Sequence, residues 1–139
     1  MKKRIKVSSA KAKGRACQKY TMQKIGELLN IPYGKDELIA SREMGQTGTD
    51  IRLVGKAKES FRWSVECKWQ ENWSVQSWIE QAKKNQLPGT NWLLIAKRNR
   101  SEFIAMLDAD LFFHLLALLK NSIPSSEGIS GGYNELLDK

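Results

Sequence analysis

Apolar positions follow two rhythms along this chain. From Gly14, the residues Cys17, Tyr20, Met22, Ile25, Leu28 and Leu29 recur at three-to-four spacing, which predicts an amphipathic helix ended by Asn30 and Pro32. Period-two alternation then takes over. A short strand is expected over residues 37–42, and a second over 49–55, where Ile51 and Leu53 alternate with Asp50 and Arg52. A third strand over 61–69 sets Phe61, Trp63, Val65, Cys67 and Trp69 on one face and Ser64, Glu66 and Lys68 on the other. Residues 56–60 read as the polar loop of a hairpin between the second and third strands. The helical rhythm returns over 74–86 (Val75, Trp78, Ile79, Ala82) and stops at Pro88 and Gly89. Two further strands, 92–96 and 102–107, flank a charged turn. A last helix over 111–120 has Asp108 or Asp110 available as its cap.

The expected order is therefore α-β-β-β-α-β-β-α, an α/β fold with a mixed central sheet of about five strands flanked by helices. The 139 residues suit one compact domain, placed at residues 14–120, between a flexible basic arm (1–13) and a mobile Ser/Gly-rich tail (121–139). Hydrophobic residues make up 41% and charged residues 27%, a globular balance that excludes wholesale disorder. The longest apolar stretch, residues 111–119, is broken by His114 and falls short of a membrane span. With no apolar signal segment behind the basic N-terminus, no membrane association and a cytoplasmic location are expected. Two cysteines make neither a disulfide framework nor a zinc cage.

Charge changes this picture. The net +8 is concentrated in residues 1–24, which hold nine basic residues and no acidic one. A cationic segment on a nearly neutral body points to a polyanion, most simply nucleic acid. Candidate phosphate contacts are Lys11, Lys13 and Arg15, then Ser41, Arg42, Gln46 and Thr47 around a loop with Gly45 and Gly48, and the basic turn Lys97, Arg98 and Arg100.

Closing the expected hairpin with a five-residue loop sets Asp50 opposite Glu66. Paired carboxylates repel, and a divalent cation is the usual compensation; oxygen ligands suit Mg²⁺, with Mn²⁺ as substitute. Lys68, on the same strand face as Glu66, supplies a positive charge for an attacking water or a phosphate oxygen.

The segment Gly48-Thr49-Asp50-Ile51 followed by Val65-Glu66-Cys67-Lys68 resembles the PD-(D/E)XK nuclease signature, with Thr49 where Pro is common. The resemblance covers about residues 13–120 and is nearest to archaeal-type and phage-encoded Holliday junction resolvases. The opening Lys13-Gly14-Arg15 and the Trp78-Ile79-Glu80-Gln81-Ala82 helix are similar to theirs. The resemblance implies a restriction-endonuclease-like core and a metal-dependent endonuclease hydrolysing branched DNA, as a homodimer, in the host cytoplasm if phage-encoded. It implies Asp50, Glu66 and the Cys67 backbone carbonyl as metal ligands, Lys68 as the catalytic lysine and Gln81 as a supporting polar group. Gln18 stands where archaeal members carry a Glu, so a second metal is less well provided for. A restriction-type or other phage nuclease is the alternative within the fold; a non-catalytic nucleic-acid-binding module is the alternative outside it.

Overall fold

The computed structural model describes residues 6–43, 46–122 and 137, and the chain falls into two units, 1–106 and 107–139. The single domain expected over 14–120 therefore divides between Met106 and Leu107.

The first unit is mixed α/β. Its elements are α1 (Val7–Leu29), β1 (Ile39–Ser41), β2 (Ile51–Leu53), α2 (Gly55–Ser60), β3 (Trp63–Trp69), α3 (Val75–Lys84), β4 (Asn91–Lys97) and β5 (Ile104–Met106). In α1, Cys17, Thr21, Met22, Ile25 and Gly26 form the buried stripe. Gly26 is required there: a Cβ would stand 2.9 Å from the Ile31 carbonyl oxygen as the chain turns back. Asn30, in the left-handed conformation (φ 54°), ends the helix.

Residues 7–13, expected as part of a flexible arm, are instead the first turns of α1; residues 1–5 lie outside the described residues. No apolar stripe marks these turns. Their Ala and Lys content favours helix by propensity alone, and Gly14 does not interrupt it.

The strands form two sheets rather than one. β1 and β2 pair antiparallel, Ala40 opposite Arg52, and the main chain extends this pairing through Arg42 N–H to Asp50 O (2.9 Å). β3 pairs parallel with β4, with α3 as the crossover, and β4 pairs antiparallel with β5. The expected hairpin between the second and third strands is absent, because residues 56–60 are helical. Lys, Ala and Glu there favour helix, and Ala57 tucks its methyl into the core.

Both faces of the β3–β4 pair are covered. Val65 and Cys67, with Leu93 and Ile95, pack in the cluster that holds Cys17, Met22 and Ile25 of α1. Leu94 and Ala96 pack with Trp78 of α3. This is why Ser64 and Glu66, expected on an open polar face, are each only 2% exposed.

The second unit carries α4 (Ala109–Ser122), capped as expected by Asp108, whose Oδ1 accepts the Leu111 N–H at 3.0 Å. None of its residues is buried. The tail expected from residue 121 begins inside α4, and beyond Ser122 it lies outside the described residues except for 137. No helix among the described residues is long and apolar enough to cross a membrane.

Candidate active site

Asp50 precedes β2 and joins the two sheets. Its N–H donates to Val65 O at 3.0 Å, and its Oδ2 accepts the Cys67 N–H at 2.7 Å. One aspartate thus grips β3 on either side of Glu66. The Asp50–Glu66 neighbourhood expected from a hairpin is reached by another route: a carboxylate bonded to main chain takes the place of a strand ladder.

Glu66 and Lys68 face α3. Asn85 Nδ2 donates to Glu66 Oε1 at 2.9 Å, and Lys68 Nζ donates to Gln81 Oε1 at 2.8 Å. Gln81 and Asn85 are four residues apart, so consecutive turns of one helix end hold the acid and the base. Burial and the Asp50 charge raise Glu66 from its ordinary 4.5 to about 7, against the opposing pull of Asn85 and Lys68. Near neutrality and without a cation, Glu66 is therefore partly protonated.

Arg42 approaches from the other side. It sits across the β1–β2 hairpin from Asp50, donating Nη2 to Asp50 Oδ1 at 3.3 Å and Nη1 to Gly48 O at 2.6 Å. The Cys67 side chain turns the opposite way, toward Cys17 and Thr21 of α1, with Thr21 Oγ1 at 3.6 Å from its sulfur. Its thiol is pushed well above the ordinary value by Cys17 and by burial, so it remains protonated.

The oxygens gathered here are of the type that a hard divalent cation takes. Among the described residues no group of three or more His, Cys, Asp and Glu side chains stands together, so side chains offer two carboxylates. The main chain offers a third oxygen. Val65 O and Cys67 N both face Asp50, and the N–H and C=O of one strand residue share a side. The Cys67 carbonyl therefore also points toward Asp50 and away from β4. Two carboxylates and a carbonyl leave positions for water, the coordination Mg²⁺ and Mn²⁺ prefer.

The remaining expected residues divide among separate surfaces. Gln18 is not bonded to the carboxylates. It lines a cleft of about 340 Å³ with Lys11, Arg15, Ser41 and Arg42. Lys13 is on α1 but outside that cleft. Gln46 and Thr47 line a different pocket on the far side of Arg42. Gly45 lies outside the described residues.

The basic turn folds back on aromatic rings: Lys97 Nζ lies 4.3 Å from the centre of the Trp69 ring and the Arg98 guanidinium 4.9 Å from that of Trp73. Arg100 is exposed and left-handed (φ 59°). Two contributors were missing from the sequence reading. Asn85 was findable, one turn past Gln81 on the expected helix. The Arg42–Asp50 pair had no signal without the β1–β2 register.

Comparison with family models, with curated proteins and with solved structures finds no match.

Proposed function

We propose that the chain is a metal-dependent DNA endonuclease of the PD-(D/E)XK kind, with a restriction-endonuclease-like core and Asp50, Glu66 and Lys68 as its catalytic set. The observation that carries the reading is the joint placement of two buried carboxylates and a lysine, each fixed by its own partner. A buried acid pair costs stability unless something compensates it; Asp50, Glu66 and the Cys67 carbonyl would hold a divalent cation, which would offset that cost. When bound, Mg²⁺ or Mn²⁺ supplies Lewis acidity that lowers the pKa of water and offsets charge on the phosphoryl group.

The chain's own groups do the rest. Asn85 fixes the Glu66 carboxylate. Gln81 holds the Lys68 ammonium beside it, where it stabilises negative charge as the phosphodiester is hydrolysed. Arg42 counters Asp50 while no cation is there. The basic first turns of α1 and the loop before Asp50 contact phosphates. Branched, four-way DNA as substrate and a homodimer as the working form follow from the resemblance to junction resolvases. Other phage or restriction-type nucleases share the chemistry.

One observation favours a second reading, a non-catalytic nucleic-acid-binding module: Arg42 and the Cys67 N–H already satisfy Asp50 without any metal. Incubation with a four-way junction and a matched linear duplex, with and without Mg²⁺, separates the two. The nuclease reading expects Mg²⁺-dependent cutting that Asp50→Ala and Lys68→Ala abolish. Binding without cutting selects the module. Equal cutting of junction and duplex keeps the nuclease and removes the junction preference.

A further inference from the structure

A pocket of about 230 Å³ opens where β2, α2, the start of β3 and the loop after α3 meet. It holds neither Glu66 nor Lys68. Three cations line it, Arg42, Arg52 and Lys58, and no carboxylate does among the described residues. Arg52 and Lys58 are exposed and neither makes an ion pair among the described residues. Two rings, Phe61 and Trp63, also line it, their centroids 6.5 Å apart and tilted by 45°. Both are half-buried, packed partly against the main core.

Side chains needed only for the core do not require a cationic rim on which Arg52 and Lys58 have no acidic partner among the described residues. Rings beside a cationic rim are what a nucleotide requires, an aromatic wall for the base and positive charge for the phosphate. The small volume suits a single nucleotide better than a stacked pair. Thr49 and Ile51, the two neighbours of Asp50, also line the pocket, and Arg42 reaches from it to the Asp50 carboxylate. The pocket therefore borders Asp50, one of the two proposed catalytic carboxylates.

We propose that this pocket takes one unpaired nucleotide of a DNA strand, its base against Phe61 and Trp63 and its phosphate on Arg52 and Lys58. The proposal rests on the reading of the chain as a DNA-binding nuclease and deepens it, because a flap, a fork or an opened branch point offers an unpaired nucleotide and a continuous duplex does not.

The test is equilibrium binding by the full chain, in EDTA so that nothing is cut. The probes are a labelled single strand of about 12 nucleotides and the same strand carrying abasic residues. Wild type is expected to bind the base-bearing strand about tenfold more tightly. Phe61→Leu should reduce that preference to within about twofold, while Arg52→Gln with Lys58→Gln should weaken both strands by about tenfold. Should Phe61→Leu fold poorly, the two surface substitutions and the fluorescence of Trp63 replace it. The base-bearing strand should quench wild-type emission, and Trp63→Phe should lose most of that quenching.

Equal affinity for the two strands, or unchanged binding by the Arg52/Lys58 double variant, overturns the proposal. Mg²⁺-dependent cutting is scored separately. If the pocket fails while cutting persists, the nuclease reading stands; if base preference persists without cutting, the nuclease reading falls and the pocket remains.

Discussion

Asn85 Nδ2 donates to Glu66 Oε1 at 2.9 Å, so the last turn of α3 holds an acid that burial and Asp50 together raise to about 7. A group raised on folding adds stability below its unfolded pKa and loses that contribution as pH climbs through the folded value. In metal-free protein the Glu66 contribution is therefore complete below about 4.5 and gone above about 7. Glu66→Gln keeps the Asn85 bond and removes the titration. It should melt at the wild-type temperature near pH 5 and above it at pH 8, by at most about 3 kcal/mol in stability. Thermal melts in EDTA across that range check it; a constant difference between the two proteins contradicts it.

Mg²⁺ or Mn²⁺ should reverse that order. A cation bound by the folded form alone stabilises by mass action, about 2.7 kcal/mol at a hundredfold excess over its dissociation constant. Protons compete for Glu66, so the shift in wild-type melting temperature should be larger at pH 8 than at pH 6 and absent in Asp50→Asn. A shift that is the same at both pH values places the cation elsewhere.

Lys68 and Gln81 should separate in magnitude. Lys68→Ala removes the charge and should lower the cleavage rate at least about a hundredfold. Gln81→Ala leaves the charge and loosens its position, which should cost about tenfold. Single-turnover cleavage with saturating protein measures both, and equal losses would mean that Gln81 does more than hold Lys68.

Lys11 and Arg15 line a cleft with Arg42, one turn apart on α1. Replacing both by Ala should lower the slope of log affinity against log salt by about two and leave the melting temperature near wild type, since both side chains are exposed. Because α1 begins at Val7, deleting residues 2–12 would also cut into the helix, so point substitutions are the cleaner measure.

The sequence made plain those elements whose side chains alternate or recur. β3, β4, α3 and the stripe of α1 follow Val65, Leu94, Trp78 and Ile25 within a few residues. It misled where local composition and tertiary context parted. Residues 56–60 carry one buried side chain, Ala57, and a single apolar residue has no period. The face of β3 with Ser64, Glu66 and Lys68 looked open because its residues are polar, yet α3 covers it with matching polar groups, Gln81 and Asn85. Polarity there marks partners and not solvent. The Asp50–Glu66 neighbourhood was inferred through a hairpin that does not exist. It arises instead because a short side chain one residue before β2 caps the main chain of β3, a bond that no residue spacing encodes.

That bond gives Asp50 a mechanical role beside any chemical one. Among the described residues, the seam between the two sheets closes through its amide and its Oδ2. The Cys67 amide proton is thus a strain gauge for the seam, protected from exchange with solvent deuterium only while the aspartate grips it. Asp50→Asn keeps an oxygen for that proton and Asp50→Ala does not. Faster exchange at Cys67 in the alanine variant alone would mark how far a lost activity came from sheets drifting apart.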